Sequence, residues 1–194
     1  MPIIEVGRED VMPRLKAYLA RSGYRSALKD MKDGELALAK EIYIEALDLA
    51  EPLAVVNDYE RRELGDISLP GKLEGCASYS AMLFSLGAGL DLAAEAYFGR
   101  DEPLRALLLD SWGSEAVECL AENVDERLRA ARGRGTTRFA PGYGGFSVRH
   151  NAEWLKLAVG EDKPERPVSV DSQTGIIIPR KSIICMIGWD TIED

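Results

Sequence analysis

The sequence predicts an α+β fold, a mostly antiparallel central sheet flanked by helices, and three observations predict it. Helical and extended patterns follow one another without strict alternation, which fits an α+β domain better than a run of parallel β-α-β units. Leu104, Leu107, Leu108, Val117, Leu120, Val124 and Leu128 keep helical spacing along one long stretch, about residues 102–132. The last third of the chain then carries short β-branched runs at Val168–Asp171, Ile176–Ile178 and Lys181–Trp189 that read as strands. The 194 residues fit one domain, 1–194, with a helical and strand portion over 1–65 and a core over 66–194.

Taken in order, Ile3–Val6 reads as a short strand and Asp10–Arg21 as a helix closed by Gly23, with Pro13 in its first turn where a missing N–H is tolerated. Asp33 suits the cap of a second helix whose apolar face is Leu36, Ala39, Tyr43, Ala46, Leu47 and Ala50, and Pro52 stops it. Leu53–Tyr59 reads as a strand and Ile67–Gly71 as a turn. The second half of Ala77–Leu86 reads as a buried strand, ended by Gly87-Ala88-Gly89. Asp91 starts a helix through Tyr97 and Phe98, and Pro103 suits the first turn of the long helix. Gly113 inside that helix costs about 1 kcal/mol relative to Ala, which points to close packing or a kink. Gly133 and Gly135 end it. Ser147 or Asn151 caps a helix carrying Trp154, Leu155 and Ala158, Gly160–Pro167 is a polar connector, and Pro179 stands at a strand boundary.

The composition excludes several classes of function. A net charge of −9 argues against a general binder of nucleic acid or anionic membrane. Cys76, Cys119 and Cys185 never form a C-x-x-C pair, so they suit reduced thiols in a cytoplasmic protein and make no zinc or iron–sulfur signature. The N-terminus carries no basic, apolar export signal, and no apolar run approaches the ~18 residues of a membrane span. His150 is the sole histidine, so neither a histidine triad nor a multi-histidine metal site can be built, and Val148 stands where the D-x-H-x-x-G pattern of cobalamin carriers needs Asp. Gly87-Ala88-Gly89 invites a nucleotide-binding reading, but Leu92 replaces the third glycine and Asp110, the acid at the expected distance, falls inside the long helix.

One stretch is unlike the rest: Arg138-Phe139-Ala140-Pro141-Gly142-Tyr143-Gly144-Gly145-Phe146. Pro141 and three glycines forbid a helix and predict a bent loop that exposes backbone groups. Arg138 can grip a carboxylate or phosphate through paired hydrogen bonds, and Phe139 or Tyr143 can stack on a flat ring or face a cation. The same loop also reads as a plain connector. Asp58, Glu60, Glu115, Glu118 and Asp171 are candidate carboxylates; Asp171 follows a strand and precedes the turn Ser172–Gly175.

Arg138–Tyr143 resembles the R-x-A-P-G-Y signature of the activation domain of cobalamin-dependent methionine synthase. Asp171-Ser172 followed by Ile178-Pro179-Arg180-Lys181-Ser182-Ile183 resembles that domain's downstream stretch, an acidic residue and Ser, then P-x-x-S-V. Leu69–Lys72, Ser85–Gly87 and Asp110–Glu118 look like free-standing members of the family, so the likeness runs from about Leu69 onward.

The resemblance implies a reactivation module. Such a domain binds S-adenosylmethionine and, once a donor such as flavodoxin has reduced a stalled cobalt, presents the methyl group to the cobalamin of a methionine synthase or another corrinoid protein. Cobalamin would belong to the partner alone. The contacts it implies here are Arg138 to the methionyl carboxylate, Ala140 through its backbone, Gly142, Tyr143 beside the ligand and Asp171, with Asp58, Phe139 and Ser182 as further candidates. The short stretch after Trp189 lacks the family's C-terminal extension, which is expected to lower affinity. Two other readings compete: a binding or scaffold protein for a corrinoid methyltransferase or other small ligand, and a methyltransferase of the nucleotide-fold class with a parallel sheet below Gly87.

Overall fold

The computed structural model describes residues 3–24, 32–160 and 167–189, with Ile3 and Asp33 described by backbone alone. Its centre is a sheet of four antiparallel strands in the order β1 (Ile3–Ile4), β2 (Leu53–Glu60), β3 (Ser78–Ser85), β6 (Ser182–Trp189). A separate hairpin joins β4 (Ser169–Val170) to β5 (Ile177–Ile178). This is the predicted α+β class. It removes the reading with a parallel sheet below Gly87, because β2, β3 and β6 all pair antiparallel.

Alternate residues along each strand face opposite sides, and here both sides are covered. Ala54, Val56, Met82, Phe84, Cys185 and Ile187 pack under α1 (Leu15–Arg21), α2 (Asp33–Leu49), α3 (Gly89–Gly99) and α4 (Pro103–Arg132). Val55, Tyr79, Ala81, Leu83, Ile184 and Met186 pack against α5 (Asn151–Val159), whose Trp154 is fully buried. Burial on both faces explains why β3 runs the whole length of Ser78–Ser85 and not only its second half as expected: all eight residues pair with β2 on one edge and β6 on the other.

The long helix lies where its apolar spacing predicts, with Leu108, Val117, Leu120 and Val124 in the core. Leu104 and Leu107, expected in the same stripe, are exposed near its first turns. Gly113 lets the stem of Lys181 and Leu90 approach, so its glycine serves close packing: an added Cβ would stand 3.0–3.1 Å from both.

The first helix is shorter than expected. A 3-10 turn over Arg8–Val11 precedes α1, and Pro13 lies between the two instead of in the helix's first turn. Met12, the residue before proline, is held extended, which breaks the run. Asp10, expected to open that helix, is instead buried, accepting from the Gly7 amide and paired with Arg127 of α4. Asp91 is not the first residue of α3, which starts two residues earlier; its carboxylate accepts from the Arg180 amide at 2.7 Å. The backbone of α2 begins at Asp33, while the expected side-chain cap there lies outside the described residues, as does most of the connector over Gly160–Pro167. Among the described residues no helix is long and apolar enough to cross a membrane.

Beyond β6 the chain adds one more partial strand. Gly135 bridges Trp189 and Phe139 bridges Met186, both antiparallel, and the two bridges are one residue out of register, so the segment bulges between them. Gly135 is confined there: an added Cβ would lie 2.5 Å from the Trp189 ring and 2.9 Å from the Gly188 carbonyl. Gly135→Ala is therefore expected to lower the unfolding free energy by about 1–3 kcal/mol through overpacking, measured by urea denaturation. An unchanged midpoint would mean that this edge pairing contributes nothing to the fold.

Candidate functional site

The groove is built from the edge of β6 outward. Phe139 exchanges both backbone hydrogen bonds with Met186, at 2.9 and 2.8 Å. The next residue able to pair on that side is Pro141, which has no N–H. The chain therefore leaves the sheet edge there and turns, with Gly142 at φ 103° and its N–H donating to the Phe146 carbonyl at 2.7 Å. The loop is the predicted one, and it is anchored. Phe139 is nearly buried against Phe146 and Trp154, with ring centroids 6.0 and 6.4 Å away. Its ring thus belongs to the core cluster under α5.

Between this loop and α4 lies a groove of about 430 Å³, lined by Arg138, Phe139, Ala140, Tyr143, Ile183, Glu118 and Lys72 among others. That size suits a drug-sized ligand. Arg138 donates from Nη2 to Glu118 Oε2 at 2.9 Å. The Arg138 side chain is 21% exposed and that of Glu118 45%. A pair this open to water contributes about 0–1 kcal/mol, so another carboxylate can replace Glu118 at little cost. Tyr143 stands at the rim, 67% exposed.

The structure brings Arg138, Phe139, Ala140 and Tyr143 together, with Gly142 shaping the turn between them. It places the other three sequence candidates apart from the groove's lining. Asp171 sits on the hairpin, where its Oδ1 accepts from the Thr174 N–H and hydroxyl, both at 2.7 Å, and from the Gln173 N–H at 3.0 Å. Asp58, on β2, accepts from Ser80 Oγ at 2.5 Å and pairs with Arg132 at 2.6 Å, beside Trp189. Ser182 is buried, its hydroxyl donating to Ser85 Oγ at 2.9 Å between β6 and β3.

Sequence reasoning named Glu118 only among several acids and gave Lys72 no role. Glu118 lies on α4 three residues from Glu115, and Glu115 pairs instead with Arg21 of α1 at 2.5 Å. Only the packing of α1 and of the Arg138 segment against α4 separates the two. Cys185 lies behind the site, and burial pushes its thiol up to about 12, so it stays protonated at neutral pH and offers no thiolate nucleophile. His150 is stacked on Phe146, with centroids 4.1 Å apart, in the short turn Val148–His150 that leads into α5; Ser147 caps that turn.

Among solved structures the chain is similar to a crystal structure of the MetH reactivation domain bound to AdoHcy. The TM-score is 0.68 at 17% identity, over 100% of this chain and 79% of that one. The chain has the fold of the MetH reactivation domain. No protein-family model and no curated protein matches it. The reactivation-domain fold thus rests on backbone topology, reached with little sequence likeness.

The hairpin carboxylate provides a test by pH. Hydrogen bonds from the Thr174 N–H and hydroxyl hold the Asp171 carboxyl below its usual range. A depressed value means that the ionised form stabilises the turn above the unfolded-state pKa of about 3.9, and that this support is lost as pH falls through the folded value. The Thr174 amide resonance should therefore titrate with a midpoint below that value, and Asp171→Asn should abolish the titration. A midpoint at or above the ordinary value would contradict the turn geometry.

Proposed function

We propose that this chain is a stand-alone reactivation module. It binds S-adenosylmethionine in the groove between the Arg138–Tyr143 loop and α4 and presents the methyl group to the cobalt of a cobalamin-bearing methionine synthase. One observation carries the reading: a guanidinium and a carboxylate, Arg138 and Glu118, face each other across 2.9 Å in an open groove of about 430 Å³. The tail of a free amino acid carries one carboxylate and one ammonium. Entering between them, it exchanges one ion pair for two, Arg138 with the ligand carboxylate and Glu118 with the ligand ammonium. The AdoHcy held by the MetH reactivation domain has such a tail, which supports the assignment.

S-adenosylmethionine, when bound, supplies an electrophilic methyl group on its sulfonium, and the acceptor is the reduced cobalt of the partner's cobalamin. The chain's own residues have the remaining work of binding and orientation. Arg138 and Glu118 fix the amino acid tail. The Ala140 backbone, held beside β6 by the Phe139–Met186 bridge, offers polar groups to the rest of the ligand. Gly142 gives the loop its turn, and Tyr143, free at the rim, can cover the ligand. Asp171 is left to its hairpin turn in this reading, and Asp58 and Ser182 to their bonds within the sheet. The groove's openness suits delivery to a cobalt held on another protein, and a separate donor such as flavodoxin would supply the electron.

Arg138→Ala should weaken S-adenosylmethionine binding by about 2–3 kcal/mol, the range for removing the partner of a charged hydrogen bond. Glu118→Gln should weaken it by about 1–2 kcal/mol. Both are measured by calorimetric titration, and wild-type affinity in both variants would defeat the site. Mixing the protein with a methionine synthase lacking its own activation domain, a reductant and methyl-labelled S-adenosylmethionine should yield labelled methylcobalamin. Ligand binding without label transfer would instead mark a binding protein that does not promote methyl transfer.

A further inference from the structure

The groove contains a cation that the ligand contacts above leave unused. Lys72 lines it together with Arg138 and Glu118. Its backbone is fixed by the 3-10 turn Gly71–Leu73, in which the Leu73 N–H donates to the Pro70 carbonyl at 2.8 Å. Leu73 itself is fully buried, and its carbonyl accepts from the Tyr79 hydroxyl at 2.9 Å. The backbone of the lysine is thus on a firm base, and its exposed side chain lines the groove. Among the described residues Lys72 makes no ion pair, whereas Arg138 and Glu118 neutralise each other. The charged side chains lining the groove therefore sum to one net positive charge: Lys72 and Arg138 against Glu118.

This charge bears on which ligand the groove prefers. At neutral pH S-adenosylmethionine carries a sulfonium and an ammonium against one carboxylate, a net positive charge. S-adenosylhomocysteine has a neutral thioether in place of the sulfonium and no net charge. The two differ by one methyl group and one charge, and their amino acid tails are the same. Arg138 and Glu118 meet that shared tail and cannot tell the ligands apart. An uncompensated ammonium in the same groove can, because it repels a sulfonium and not a thioether.

We propose that Lys72 is a specificity residue that makes the groove favour S-adenosylhomocysteine over S-adenosylmethionine, so that the demethylated ligand competes with the methyl donor. The inference rests on the proposed ligand class for this groove. At the separations a groove of this size allows, and with water screening an open site, the repulsion corresponds to about a three- to tenfold difference in affinity.

The test is titration of the full chain with each ligand by calorimetry, for wild type, Lys72→Gln and Lys72→Arg, at low and high salt. Wild type should bind S-adenosylhomocysteine the more tightly. Lys72→Gln should shrink the preference by about three- to tenfold, mainly by strengthening S-adenosylmethionine binding. Lys72→Arg keeps the charge and should keep the preference, which separates charge from shape. Added salt should narrow the wild-type ratio and leave that of Lys72→Gln nearly unchanged. If both ligands bind but the ratio is the same in wild type and Lys72→Gln, the role of Lys72 is overturned and the groove assignment stands. A folded wild type that binds neither ligand overturns both.

Discussion

The site depends on one stretch of backbone pairing, the exchange of two hydrogen bonds between Phe139 and Met186 at the outer edge of β6. An extended segment sends successive side chains to opposite faces. Once the Phe139 ring is committed to the cluster with Phe146 and Trp154, Arg138 must point the other way, to the face that α4 covers. The guanidinium reaches Glu118 because the aromatic ring beside it is buried. Pro141 then ends the pairing by lacking a donor, and the glycines after it let the chain fold back over the groove.

The long helix supplies the other wall through one repeated spacing. Asp110, Ser114 and Glu118 stand four residues apart and so share a face of α4. The first two hold the ammonium of Lys181, at 2.6 and 3.0 Å, and the third holds Arg138. Lys181 immediately precedes β6 and Arg138 belongs to the segment that pairs with its far half, so one stripe of α4 fixes both. Gly113 is part of the same arrangement, since the stem of Lys181 lies against it. Ile183, the second residue of β6, lines the groove. Its position is set by contacts outside the groove lining.

These dependencies explain which features could be read in the sequence. The long helix, β6 and the bent loop are legible because each is local: apolar spacing for α4, a β-branched run for β6, one proline and three glycines for the loop. The break at Pro13 is local too, through the extended Met12 before it, whereas the burial of Asp10 beside Arg127 joins residues far apart in the chain. The partner of Arg138 was illegible for the same reason. Glu115 and Glu118 look alike in sequence, and the packing of α1 and of the Arg138 segment on α4 assigns them to Arg21 and Arg138 respectively. Asp171 shows the reverse case. The sequence marks it as an acid before a turn, and the structure shows that the turn itself uses it, as short polar side chains commonly bond nearby backbone.

In the proposed reading the groove offers a group to another molecule and so faces conflicting demands. Enclosure strengthens every polar contact but removes the ligand from its acceptor; openness does the reverse. The arrangement around Arg138 and Glu118 meets both demands by dividing the site. The Arg138–Glu118 pair lies partly shielded between β6 and α4, and in the proposed reading it opens at low cost to take the amino acid tail. The loop side is open, with Tyr143 in solvent at the rim. In that reading the groups that anchor the ligand are on the helix and the sheet edge, and the open loop side is where an acceptor would approach. Lys72 is carried on a turn fixed by buried Leu73, which keeps its backbone beside the groove, and in the proposed reading its charge acts on the sulfur of the ligand.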